Sequence, residues 1–146
     1  MNDQTKYAFC SPEWVAIADE YLKTAAQNAD LSGIDYTFNE VFTNAPAELN
    51  PDEQGRVGWY LRVANGQVEA KPGIVADADV TIQADYAGIL PLARAVFTDN
   101  PEGAAEAQKT IEKMVQEGKF QRTGSDEQPE MPWAGELHDV LARRTL

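Results

Sequence analysis

Two alternating segments on either side of Asn65-Gly66 constrain the fold of this chain more than any other feature. Apolar residues occupy every second position of 57–64, with Trp59 and Leu61 among them, and the alternation resumes in 67–70. An Asn-Gly pair favours a type I′ turn, because both central residues of that turn need positive φ. The sequence therefore predicts a β-hairpin with one apolar face.

Further strands and helices are predicted before and after this hairpin. Strands are predicted at 35–43, 80–84 and 119–123. Helices are predicted at 12–28, 86–97, 101–117 and 132–145, and Asn100 is expected just before the third. Ser11 and Asp85 are suitable N-caps for the first two helices, and Pro91 is expected to kink the second. The order α-β-β-β-β-α-α-β-α indicates an α+β fold with a mainly antiparallel five-stranded sheet.

Length and composition predict a single domain, residues 1–146, with a core of its own. The net charge is −12, and it is spread along the chain without a basic stripe. Because Lys and Arg contacts to phosphate dominate nucleic-acid affinity, binding to nucleic acid is not expected. The sequence has no long apolar run and no secretory signal at its start, so we expect a cytoplasmic protein without stable membrane insertion.

Residues that carry catalytic or metal chemistry are sparse. The sequence has one cysteine, Cys10, which excludes an intramolecular disulfide and any multi-cysteine metal site. His138 is the single histidine, and we interpret it as a solvated or rim residue. Asp77-x-Asp79 lacks the glycine that a calcium loop needs and is interpreted as an acidic turn. We therefore predict no catalytic residue, no metal site and no cofactor.

Glu40 is an exception to the apolar pattern of its predicted strand. It shares the parity of Tyr36, Phe38 and Phe42, so its carboxyl group either points inward or reaches solvent at a strand edge. If the carboxyl group is buried, its pKa is raised and it becomes a candidate base.

The aromatic side chains allow two interpretations. Three Trp, five Phe and five Tyr are spread over nearly every predicted element. These side chains either fill an ordinary core or form the walls of a cavity for an apolar ligand. Composition alone leaves both interpretations open.

Three segments resemble a known family. Residues 59–67 (WYLRVANGQ), 78–85 (ADVTIQAD) and 117–124 (EGKFQRTG) are similar, in order and spacing, to the hairpin, short strand and Gly-Lys strand of the sterol carrier protein 2 (SCP2) domain family. With the first helix included, the resemblance covers nearly the whole chain. The chain departs from the family in an extra helix at about 101–117, in Thr123, where an apolar residue is common, and in its last residues, which are not a peroxisomal signal.

The resemblance implies helices on one face of the sheet and a hydrophobic tunnel between them. It also implies a lipid or another hydrophobic small molecule as partner, such as a fatty acid, acyl-CoA or a sterol-like compound. Ten apolar residues are expected to contact the ligand: Phe38, Phe42, Trp59, Leu61, Ile89, Val96, Phe97, Met114, Trp133 and Leu137.

Two other functions stay open from the sequence. One is a small enzyme or enzyme subunit that acts on a hydrophobic molecule with Glu40 or Asp85 as base. The other is an accessory scaffold whose core is full. A homodimer also stays open. Finally, the terminal helix at about 132–145 follows a polar loop that offers little to pack, and it is predicted to act either as a lid on the ligand or as part of the core.

Overall fold

The computed structural model describes residues 5–98, 101–125, 129 and 131–146. Its strands are β1 (Tyr36–Thr43), β2 (Val57–Ala64), β3 (Gln67–Pro72), β4 (Val80–Asp85) and β5 (Phe120–Gly124). The helices of the described residues are α1 (Pro12–Ala26), α2 (Tyr86–Ala93), α3 (Pro101–Gln116) and α4 (Leu137–Arg143), with single 3₁₀ turns at Ala47–Leu49 and Pro132–Ala134. Within these residues no helix is long and apolar enough to cross a membrane.

The strands form one sheet in the order β3-β2-β1-β4-β5. The β1–β2, β2–β3 and β4–β5 pairs are antiparallel, and the central β1–β4 pair is parallel. The sheet is therefore mixed but mostly antiparallel, and the predicted α+β fold class is confirmed.

The turn between β2 and β3 has the geometry that its sequence predicts. Asn65 and Gly66 adopt φ values of 55° and 74°, so both central residues lie in the left-handed region that a type I′ turn requires. The turn sets the register in which Val63 lies beside Val68 and Leu61 beside Ala70. The predicted hairpin is thus confirmed.

The helices pack on one face of the sheet. On β1 and β2 the facing pairs Phe38–Leu61 and Glu40–Trp59 lie on this face. The buried side chains of α1, which follow helical spacing, pack against it: Trp14, Val15, Ala18 and Leu22. The opposite face is partly covered by the segment after β3, because Asn39 exchanges two hydrogen bonds with the backbone of Val75.

α1 also closes one edge of the sheet. Its N-cap is Ser11, whose hydroxyl oxygen accepts a hydrogen bond from the backbone N–H of Trp14 at 3.3 Å. Further along the helix, the Asp19 carboxylate accepts the backbone N–H of Ala70 on the edge strand β3 at 2.9 Å. A partnered donor on an edge strand is no longer available to another chain.

The second helix ends earlier than the sequence predicts. The prediction extends it to Phe97, but α2 ends at Ala93, after Pro91. Proline supplies no N–H and crowds the preceding turn. The N–H groups of Phe97 and Thr98 instead donate to the Asp139 carboxylate at 2.8 and 3.2 Å, which holds this segment in a non-helical path.

The terminal helix is shorter than the predicted 132–145. A 3₁₀ turn at Pro132–Ala134 precedes α4, which covers only Leu137–Arg143. The following residues leave the helix to pair with the start of the chain, where the N–H of Tyr7 donates to the carbonyl of Arg144 at 2.8 Å and the N–H of Leu146 donates to the carbonyl of Tyr7 at 2.9 Å. The third helix agrees with its prediction to within one residue, and the expected position of Asn100 before it lies outside the described residues.

Candidate functional site

A cavity of about 410 Å³ lies between the sheet and the helices. Its floor comes from the helix-facing side of the sheet, namely Glu40, Phe42, Trp59, Ile82, Ala84 and Phe120. Its walls come from the segments around the helices, including Phe9, Trp14, Ile89, Leu92, Ala93, Phe97, Ala104, Ala107, Ile111, Leu137 and Leu141. Ligand sites commonly occupy about 300–1,000 Å³ and are mostly apolar, so both the size and the lining suit a small hydrophobic molecule.

Five of the ten predicted ligand contacts line this cavity: Phe42, Trp59, Ile89, Phe97 and Leu137. Leu61 and Met114 are instead buried in the core, and Phe38 and Trp133 are half-buried against it. Val96 lies in a separate surface groove between α1 and α4. The structure thus brings half of the set together, and ligand contact at all ten positions stays a prediction.

Several lining residues are not among the predicted contacts. Ala104, Ala107 and Ile111 recur at helical spacing in α3, so their stripe is visible in the sequence, but the prediction selects only Met114 from it. Phe9 carries no such signal, because it precedes the first predicted element. It is followed by a turn at Cys10, where φ is 65°.

Glu40 supplies the carboxylate of the cavity floor. It lies on the central strand β1 and not at a sheet edge, and its side chain is half-buried in the cavity floor. Its Oε2 accepts a hydrogen bond from Nε1 of Trp59 at 3.3 Å. Burial raises the pKa of this carboxyl group to about 7, because removal from water disfavours the charged form, and the bond from Trp59 offsets only part of the effect.

Aromatic rings pack in series beside Glu40. The ring centroids of Phe42 and Phe9 are 4.6 Å apart, those of Phe9 and Trp14 are 5.2 Å apart, and those of Trp14 and Trp59 are 5.6 Å apart. Tyr86 supports this row, because its hydroxyl donates to the carbonyl of Phe9 at 2.7 Å. These contacts fix the positions of the rings that border the carboxylate.

The other candidate groups are Cys10, His138 and Asp85. Cys10 is buried, and burial, with the Glu40 charge as a smaller cause, raises the pKa of its thiol far above its ordinary value, so it is not an activated thiolate. His138 is exposed at the rim, with its ring stacked on Phe97 at 4.4 Å. Asp85 caps α2 by accepting the N–H of Gly88 at 2.9 Å and does not line the cavity.

The described residues contain no cluster of side chains that could bind a metal ion. Across residues 5–98, 101–125, 129 and 131–146, no three His, Cys, Asp or Glu side chains are grouped so that they could hold a metal ion. Asp79, from the predicted acidic turn, accepts the backbone N–H of Thr37 at 2.7 Å.

Comparison with known proteins finds likeness in structure and not in sequence. No family model matches the sequence, and no curated protein matches it. The crystal structure of a sterol carrier protein 2 aligns at 17% identity over 92% of this chain and 97% of the other, with a TM-score of 0.50. A conserved hypothetical protein of Thermus thermophilus aligns at 14% identity over 98% and 96%, with a TM-score of 0.47. Palmitated SCP2L2 of Aedes aegypti aligns at 18% identity over 90% and 94%, with a TM-score of 0.40.

The alignment with the sterol carrier protein 2 crystal structure combines a TM-score of 0.50 with low identity. A likeness of this kind establishes a shared fold and does not transfer activity or ligand. The segments that resemble the SCP2 family in sequence occupy β2 with its turn, β4, and β5 with the turn before it. The chain therefore has the α+β fold of the SCP2 domain.

Proposed function

We propose that this protein binds and carries a hydrophobic small molecule in the cavity between its sheet and its helices. The observation that carries the proposal is the lining: a floor and walls made mostly of aliphatic and aromatic side chains around a space of about 410 Å³. Burying one methylene group contributes about 0.8 kcal/mol, so ten methylenes favour binding by about 8 kcal/mol before the costs of association. Such binding needs no catalytic residue.

The skeleton of the ligand is best described as an acyl chain or a compact sterol-like body. The shared fold supports this choice, since one solved structure with the same fold is a sterol carrier protein 2. The presence of a cavity disfavours the scaffold alternative, which requires a full core.

The proposal is tested by occupancy and by filling the cavity. Protein from a heterologous host is extracted with solvent and the extract is analysed by mass spectrometry, and binding of the neutral fluorescent probe Nile red is then measured on the delipidated protein. Ala107→Trp places an indole in the cavity wall, whereas Ala105→Trp places one on the exposed side of the same helix.

We expect about one bound hydrophobic molecule per chain in the extract. Ala107→Trp should weaken Nile red binding at least about tenfold, since the probe and the indole compete for the same volume, and Ala105→Trp should bind as the unmodified protein does. An empty extract together with no probe binding at tens of micromolar would contradict the proposal.

A second candidate function has one specific observation in its favour. A carboxyl group with a pKa of about 7 in a ligand-sized cavity is suited to act as a general base near neutral pH, and Glu40 has both properties. If the bound molecule identified by extraction is converted by the protein, Glu40→Gln should lower turnover by about 100-fold or more, the scale of general acid–base catalysis. Glu112→Gln, on the exposed surface of α3, is the matched control.

A further inference from the structure

Glu40 places an incompletely satisfied carboxylate in the cavity. Its Oε2 is bonded to Nε1 of Trp59, whereas its Oε1 has no partner among the described residues and is accessible from the cavity. An ionised carboxylate has about four lone-pair sites and donates no hydrogen bond, so Oε1 can accept hydrogen bonds from a bound ligand.

The charge of the site is uncompensated. No Lys or Arg of the described residues lines the cavity, and its remaining polar members are Gln108 and the rim residue His138. A buried charge without an opposite charge is costly, and a second negative charge beside it raises that cost. The cavity is therefore better suited to a cationic head group than to a carboxylate or a phosphate.

The rings of Trp59, Trp14 and Phe9 line the cavity in which the Glu40 carboxylate lies. Trp59 donates to the carboxylate, and its ring contacts that of Trp14, which in turn contacts that of Phe9. The faces of such rings carry partial negative charge and attract ammonium groups within about 6 Å. Rings combined with a carboxylate form the kind of site that recognises alkylammonium ions.

Resting on the proposed function, we propose that the ligand of this cavity is a hydrophobic amine, with its ammonium group paired to Glu40 and its apolar body against the aromatic wall. The net charge of −12 supports this choice, because an acidic surface raises the local concentration of cations. The apolar body of the ligand fills the cavity, as in the proposed function. The charged end determines which of several molecules with the same apolar body is bound.

The test compares three ligands with the same ten-carbon chain: decylamine, decanol and decanoic acid. Each is titrated against Nile red bound to the unmodified protein at pH 8. We expect decylamine to displace the probe with a dissociation constant about tenfold lower than that of decanol, because hydrogen bonds between charged groups are stronger than neutral ones. Decanoic acid should be the weakest of the three.

Glu40→Gln keeps the shape of the side chain and removes its charge, so it should abolish the preference for decylamine over decanol. Glu112→Gln removes one negative charge from the surface, and the preference should remain. This pair separates recognition in the cavity from the general attraction of an acidic protein for cations. The ligand order in the unmodified protein tests the proposal even if Glu40→Gln does not fold.

The outcomes distinguish the two proposals. If decanol or decanoic acid binds as tightly as decylamine, or if the preference survives Glu40→Gln, the amine ligand is overturned and the carrier function stands. If the solvent extract is empty and Nile red does not bind the delipidated protein, both proposals are overturned.

Discussion

Glu40 and Phe42 lie two residues apart on the same face of the central strand, yet only the phenyl ring is an ordinary core side chain. Strand periodicity places both of them toward the helices and leaves the polar one no other direction. A buried carboxyl group lowers stability when it is ionised unless it gains compensating bonds, and Glu40 has one hydrogen bond, from Trp59. At this residue the structure holds a polar group among the mostly apolar side chains of the cavity.

The raised pKa of Glu40 predicts a specific dependence of stability on pH. Between its ordinary value of 4.5 and about 7, the folded protein binds more protons at this residue than the unfolded chain does. Its contribution to the free energy of unfolding is therefore present below pH 4.5 and is lost as the pH rises through 7. Since one pKa unit corresponds to about 1.4 kcal/mol, the full loss between 4.5 and about 7 is on the order of 3–4 kcal/mol.

Urea denaturation of the unmodified protein and of Glu40→Gln at pH 5 and pH 8 measures this effect. Glu40→Gln should gain stability relative to the unmodified protein on going from pH 5 to pH 8. The exposed Glu112→Gln serves as control, and its difference from the unmodified protein should be nearly the same at both pH values. A constant difference for Glu40→Gln as well would show that the carboxyl group is not desolvated.

The helices α3 and α4 both contribute to the cavity wall, but they differ in how many side chains they bury. Met114 is the buried side chain of α3 among its described residues, whereas α4 buries Asp139, Leu141 and Ala142. Just beyond α4, Thr145 is buried and accepts a hydrogen bond from Nε1 of Trp14 at 3.0 Å. These contacts support the alternative in which the terminal helix is part of the core, and they make α3 the looser wall.

Amide hydrogen exchange should therefore rank the two helices. We expect exchange in α3 at a lower opening free energy than in Leu137–Arg143, because α3 buries one of its described side chains, whereas α4 buries three. A bound hydrophobic ligand should slow exchange in α3 more than in α4, since Ala104, Ala107 and Ile111 face the cavity. Faster exchange in α4, or a ligand effect confined to it, would restore the terminal helix as the lid.

The elements that the sequence predicts well are those specified by local interactions. The Asn65-Gly66 turn is formed by its own two residues, and the Asp85 cap bonds the backbone of Gly88, three residues further along the chain. The end of α2 depends on Asp139, more than forty positions away, and the end of α4 depends on pairing with Tyr7. No local pattern contains such bonds, so the sequence places Val96 on a helix that ends before it.

The sequence likewise predicts only part of the candidate site. Alternation in the strands places Trp59 and Phe42 on the helix-facing side, and both line the cavity. Leu61 has the same parity but lies where α1 covers the sheet, so it joins the core. Whether an inward side chain meets a helix or a cavity depends on how the helices are placed, and periodicity does not contain that information.

At the scale of the whole molecule the excess of negative charge has the widest effect. The net charge is −12, and the ion pairs seen within the described residues, Lys23–Asp19, Arg56–Asp52 and Lys71–Glu69, all lie at the surface. Exposed pairs of this kind contribute little to stability and are screened by salt. Repulsion among the excess carboxylates destabilises the compact state, and salt also screens this repulsion.

Salt should therefore stabilise this protein at pH 8, because screening removes more repulsion than attraction. Raising NaCl from 0.01 M to 0.15 M shortens the Debye length from about 30 Å to about 8 Å, and most of the gain should occur in this interval. We expect the Tm to rise by roughly 3 °C, equivalent to about 1 kcal/mol for a chain of this length. A linear rise that continues to 1 M would instead indicate a general salt effect on apolar burial.

Near pH 4.5, where carboxyl groups are partly protonated and the net charge is small, the same titration should change the Tm little. A fall in Tm with added salt at pH 8 would mean that surface attraction outweighs the repulsion, which the weak exposed ion pairs make unexpected.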